Sequence, residues 1–219
     1  MKKAFQVAVI LMAGIQVNAQ GTFQNLNFED TNPGLNFGLA SAASALPYWT
    51  AYIGGVQQTE VWYNGVSTGA PQISLLGPAL GPIDGDYSVL LTGSFPASTP
   101  SISQTGVIPA GTKTLLFKAV GGNGALGVTI DNQSVPFSPI ANGPNYTLFA
   151  ANISAWAGDT EQLTFSALQD TFSINWWELD DISFSPNAVP EPTSFALMGT
   201  AGLIFAGSRL FAPKRAWTE

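Results

Sequence analysis

The chain has 219 residues, 46% of them hydrophobic and only 10% charged, with neither Cys nor His. That absence excludes Ser-His-Asp and Cys-His catalysis, thiolate zinc sites, iron–sulfur clusters and disulfide frameworks. Residues 20–187 carry twelve carboxylates against two lysines, a net charge of −10, which repels phosphate backbones and argues against nucleic acid as a partner.

At the N-terminus Lys2 and Lys3 precede an uncharged apolar run from Ala4 to Ile15, and Val17-Asn18-Ala19 supplies small residues after it. These are the three parts of a secretory signal peptide occupying residues 1–19, with cleavage expected between Ala19 and Gln20. A buried helix would need neither the leading lysines nor the break into polar residues.

Residues 20–187 show short apolar runs broken by Gly, Pro, Asn and Asp every eight to twelve positions, the spacing of many short strands. The expected strands are 22–29, 58–63, 71–76, 86–92, 101–107, 113–120, 125–131, 146–150, 161–168 and 177–185. No helix-period stretch appears beyond a possible turn at Ser41–Ala45. A body of this length with about ten strands fits an all-β domain, a single antiparallel two-sheet β-sandwich. Missing crossover helices exclude a parallel α/β sheet. Gly122-Asn123-Gly124-Ala125-Leu126-Gly127 satisfies G-x-G-x-x-G, but the strand pattern Val128-Thr129-Ile130 follows it. No helix N-terminus is then available for a pyrophosphate, and a glycine-rich hairpin turn is the better reading.

Three short pieces, Asn27-Phe28-Glu29-Asp30, Gly85-Asp86-Tyr87-Ser88-Val89-Leu90 and Leu179-Asp180-Asp181-Ile182-Ser183-Phe184, resemble jelly-roll carbohydrate-binding modules of the galactose-binding-like kind. That resemblance implies first and last strands side by side, with a structural Ca²⁺ joining a carboxylate from each. By position these are Glu29 and Asp180, with Asp30 and Asp181 as neighbours. A hard cation wants several oxygens near about 2.4 Å, and an acidic body can donate them. The alternative is a pair of solvated acidic strand ends.

Flat aromatic rings are what sugars stack on, so Tyr48, Trp49, Tyr52, Trp62 and Trp177 are the candidate ligand contacts, for an extracellular polysaccharide. Adjacent strand residues face opposite sides, so one of Trp176 and Trp177 belongs to the core and the other faces out. Glycoside hydrolysis needs two facing carboxylates. Nothing in the spacing of Glu29, Glu60, Asp84, Asp86, Asp131, Glu161, Glu178, Asp180 and Asp181 selects a pair, and no catalytic residue is assigned.

Beyond residue 187 comes Val189-Pro190-Glu191-Pro192, and seventeen uncharged residues lie between Glu191 and Arg209. As a helix these span about 26 Å, near the lower limit for crossing a bilayer. Arg209, Lys214 and Arg215 follow on the side that the positive-inside rule places in the cytoplasm. Residues 188–219, with the motif at Pro190, Glu191 and Pro192, the apolar span and the basic tail in this order, resemble the PEP-CTERM sorting signal of exported Gram-negative bacterial proteins. The resemblance implies handling by an exosortase, anchoring on the periplasmic side of the inner membrane, then passage to the cell surface or extracellular matrix. The spread of the three cations departs from the tight arginine cluster usual in that family. The reading is an exported, non-catalytic β-sandwich that binds carbohydrate; a purely structural matrix protein and a divergent glycoside hydrolase are the alternatives.

Overall fold

The computed structural model describes residues 21–34, 36–67, 72–93, 98–168 and 173–189. The expectations at Ala19 and Gln20, at Pro190, Glu191 and Pro192, and for the two terminal helices lie outside these residues. Among the described residues, no helix is long and apolar enough to cross a membrane.

The first strands are β1 (Gly38–Ser41), β2 (Thr50–Ile53), β3 (Val56–Gln58), β4 (Glu60–Tyr63) and β5 (Ile73–Leu76), with the one-turn helix α1 (Ala42–Ala45) after β1. The middle of the chain forms β6 (Ser88–Gly93), β7 (Pro100–Val107), β8 (Thr114–Gly122), β9 (Leu126–Ile130) and β10 (Gln133–Ser134). The last are β11 (Phe137–Asn142), β12 (Thr147–Asn152), β13 (Thr160–Ala167) and β14 (Asn175–Ser185). They build an eight-stranded sheet, β1-β4-β5-β6-β14-β8-β12-β11, and a six-stranded sheet, β10-β9-β13-β7-β2-β3.

Period-two alternation explains how the sheets enclose one core. On β13, Leu163, Phe165 and Ala167 are buried while Thr164 and Ser166 are half-exposed; on β8, Leu115, Phe117 and Ala119 turn inward. Phe117 of the larger sheet meets Phe165 of the smaller one edge-on, with ring centroids 5.2 Å apart. This contact helps to join the two layers, and Phe149 stacks on Phe117 from β12 at 5.4 Å.

Three expectations need correction. Residues 22–29 are not a strand: Thr22 makes one isolated bridge to Val107, while Asn25 and Phe28 sit at φ 49° and 57°, outside the extended region. The turn lets Phe28 drop its whole ring into the core against Trp49, at 5.6 Å. The larger sheet is mixed, because β4 and β5 run parallel at Trp62↔Ser74 and Tyr63↔Leu75. Strand direction is set by how the connection runs, and on that the two apolar runs are silent. The glycine-rich segment is a turn, with Asn123 at φ 62°, but it passes from one sheet to the other, so it is no hairpin.

Candidate functional site

The expected aromatics fall into different environments. Trp49 is only 5% exposed; its ring packs between Phe28 and Phe165, and its Nε1 donates to the Asn25 carbonyl at 3.0 Å. It is mainly a core residue, although it also lines the cleft at Tyr48. Trp177 turns inward with Leu179, packs on Phe149 at 6.2 Å and donates to the Gly124 carbonyl at 3.3 Å. The alternation argument therefore holds, but Trp176 is the member of the pair that faces out. Trp62 lies on the outer face of β4, 6.0 Å from Phe37, and its buried Nε1 has no partner among the described residues.

Tyr48 is different: it is 53% exposed, with its backbone at φ 72°. A tyrosine there costs about 1–2 kcal/mol, a strain that persists only where the surroundings impose it. The imposing parts are the neighbours in sequence. Trp49 is drawn into the core beside it, and the Leu46 and Trp49 amides close the preceding turn onto Ala42 and Leu46. The outcome is a tyrosine ring standing at the rim of a cleft of about 480 Å³. Ser41, Thr50, Gln57, Gln58 and Thr59 supply the polar lining, while Ala42 and Leu46 supply apolar lining. No residue of this lining is charged. Tyr52 shares the outward face of β2 with Thr50 and is half-buried.

The acidic candidates gather elsewhere, around the loop 77–87 that joins β5 to β6. Gly85 turns this loop at φ 55°, and a Cβ there would collide with the Glu29 carboxylate. Because the space is left open, Glu29 Oε1 accepts the amides of Asp86 at 2.8 Å and Tyr87 at 3.1 Å. Asp180, 1% exposed on the outward face of β14, accepts the Asp84 amide at 3.1 Å and the Asp181 amide at 2.7 Å. The Ile182 amide bonds the Leu26 carbonyl at 2.9 Å, so the opening segment does run beside the last strand, without being one itself. Asp30 is on the surface, its amide capped by Asn25 Oδ1 at 2.9 Å.

Burial raises the Asp180 pKa to about 7; the charges of Asp181 and Glu29 push the same way, against the two amide bonds. Lys118 pairs with both Asp84 and Asp181, and its ammonium lies 4.9 Å from the centre of the Tyr146 ring. Burial alone would lower the lysine, but the two carboxylates outweigh it and the net shift is upward. The hydrogen bond from Lys118 holds Asp84 below the ordinary range. Fit to a divalent cation is partial. Asp180 feels the charge of Glu29, yet each already accepts backbone amides, and Lys118 holds Asp84 and Asp181. Among the described residues, no three acidic side chains are grouped to hold a metal ion.

A second cavity, of about 380 Å³, lies on the outward face of the eight-stranded sheet, lined by Val66, Leu76, Leu90, Thr92, Ile174, Trp176 and Glu178. The sequence named Trp176 only as one of a pair of which Trp177 was chosen, and did not point to Thr92. Strict alternation from the buried Leu91 and Leu179 would have placed both on this face, had the inward set been known.

No protein-family model and no curated protein matches the sequence. Among solved structures, the chain is similar to that of TmCBM61 in complex with β-1,4-galactotriose, with a TM-score of 0.38 and 14% identity over 76% of this chain and 99% of that one.

Proposed function

We propose that the protein is an exported, non-catalytic β-sandwich of the jelly-roll kind that binds neutral carbohydrate in the cleft beneath Tyr48. One observation carries the reading: an exposed aromatic ring, held in a strained backbone conformation, stands over an uncharged lining of hydroxyls and amides. A sugar presents an apolar C–H face, which suits the ring, and hydroxyls that both donate and accept. Ser, Thr and Gln side chains match those hydroxyls without desolvating an ion. A strongly acidic body leaves such a neutral ligand indifferent to its field.

Residues 1–19 would direct export and residues 188–219, with Pro190-Glu191-Pro192, would hold the domain to the membrane until an exosortase-type enzyme sorts it to the cell surface or matrix. The domain between them would be 20–187. Ca²⁺ would be held by Glu29 and Asp180, with Asp30 and Asp181 nearby; the support for this is a buried carboxylate, Asp180, bonded to backbone amides alone.

The test is retention of the protein in affinity gels containing neutral polysaccharides. Tyr48→Ala should abolish retention on whichever polysaccharide slows the parent, because stacking concentrates affinity in few flat contacts. Its melting temperature should stay about the same, since Ala keeps the Cβ that strains the backbone and an exposed ring adds little to the core. Equal retention of parent and variant would refute the assignment of the cleft.

A further inference from the structure

The cavity on the outward face of the larger sheet has a chemistry unlike that of the Tyr48 cleft. Leu76, Leu90 and Thr92 are buried beneath it, while Val66 and Ile174 stand exposed at its rim. Trp176 forms one wall. A Cβ on Gly122 would meet its Nε1, Cε2 and Cζ2 at 3.3, 3.6 and 3.7 Å, so the indole lies flat over the glycine on β8. One face of the ring is against the sheet and the other is left for a ligand.

Two polar groups line this apolar space. Thr92 is 2% exposed and its Oγ1 has no hydrogen-bond partner among the described residues, a deficit that costs about 1–3 kcal/mol when nothing fills it. Glu178 Oε1 already accepts the Ser88 hydroxyl at 2.6 Å, and burial raises its pKa. A pyranose would bring hydroxyls around its whole ring and strand most of them here. A purely apolar ligand would leave Thr92 as it is.

The geometry points to a binding site for a phenolic ring: a flat aromatic body stacked on Trp176 over Leu90, with its single hydroxyl paired to Thr92 Oγ1. Stacking of two flat rings adds to plain area burial, which favours an aromatic over an aliphatic ring. The cavity lies near the lower end of the range for small-molecule sites, roughly 300–1,000 Å³, and suits one or two rings. This assignment is independent of the sugar reading, since it shares no residue with the Tyr48 cleft.

The test is calorimetric titration of the full chain with 4-methylphenol, toluene and cyclohexanol. The phenol should bind saturably and more tightly than either control, toluene lacking the hydroxyl and cyclohexanol the flat face. Thr92→Val should reduce phenol affinity about fivefold, the worth of one net hydrogen bond, and leave toluene unchanged. Trp176→Ala should abolish binding; Val66→Glu, a change at an exposed rim position, should do the same without touching the core. Tyr48→Ala should bind the phenol as the parent does. Binding that does not saturate, a phenol no tighter than cyclohexanol, or affinity that survives both Trp176→Ala and Val66→Glu would overturn the site.

Discussion

Strand β14 lays Trp176, Glu178 and Asp180 on one face of the same sheet, yet the two ends of this short row live in opposite surroundings. At the Asp180 end the loop 77–87 folds over the sheet: the Asp84 amide bonds the carboxylate, Ile83 is buried, and Asn145 donates to the Ile83 carbonyl at 3.2 Å. At the Trp176 end the face remains a groove lined by leucine, valine and indole. Both ends pair with β8, while the ladder with β6 ends at Leu179, one residue before Asp180. What lies over the sheet, together with the bulge that follows Asp180, decides whether an outward residue becomes a buried ionisable group or a ligand wall.

The largest effect separates the inward face from this outward one. Leu90 and Leu91 are neighbours on β6, 5% and 0% exposed, so by exposure they look alike. Leu91 is surrounded by the core, however, while Leu90 faces the groove, where contacts are missing on one side. Leu91→Ala should cost about 3–5 kcal/mol in urea unfolding and Leu90→Ala about half of that. Equal costs would mean that the groove is packed shut in solution and would remove the contrast between the faces.

Next comes the covered end. Asp180 has a pKa of about 7 in the folded protein against an ordinary 3.8, so the folded state holds its proton more tightly than the unfolded chain does. Its stabilising contribution is complete below pH 4 and is lost as pH rises toward 7, by no more than about 4 kcal/mol at 1.36 kcal/mol per unit. Asp84, shifted the other way, contributes stability at neutral pH that is lost as pH falls through its own lowered value. The two slopes therefore lie in different windows. Asp180→Asn should flatten the decline between about pH 4 and 7. Millimolar Ca²⁺ should raise the melting temperature at pH 7 relative to chelator, because a ligand of the folded state alone stabilises it. A melting curve indifferent to both Ca²⁺ and Asp180→Asn would remove any special role for the buried carboxylate.

The contrast along β14 also marks what could be read from the chain alone. Strands with clean alternation and β-branched or aromatic residues, such as β8 and β13, were legible because their pattern is set by the core they face. β1, β2, β3 and β11 were not: Gly38-Leu39-Ala40-Ser41 has no contrast to alternate, and Phe137-Ser138-Pro139-Ile140-Ala141-Asn142 carries a proline that only an edge strand tolerates. The resemblance at each end of the domain named Glu29 and Asp180, and Asp180 does feel the charge of Glu29, while Thr92 was not singled out and Trp176 was named only as one of a pair. Their importance comes from what does not cover them. Lys118 was read only as a charge, although its position on β8 opposite Asp180 makes it the cation between Asp84 and Asp181.

The smallest effect belongs to that lysine. Its ion pairs look strong on geometry, but Asp84 and Asp181 are 54% and 38% exposed at their side chains, so water and salt screen much of the attraction. Lys118→Met keeps the apolar stem against the sheet and removes only the ammonium. It should cost about 1 kcal/mol at low ionic strength and less as salt is added, and the double change with Asp84→Asn should recover part of the loss. Phenol affinity in the groove should be untouched, because no groove residue pairs with Lys118. A cost approaching that of Leu91→Ala would instead mean that the ammonium locks the loop 77–87 onto the sheet, and the covered end of β14 would then owe its cover to charge and not to the packing of Ile83.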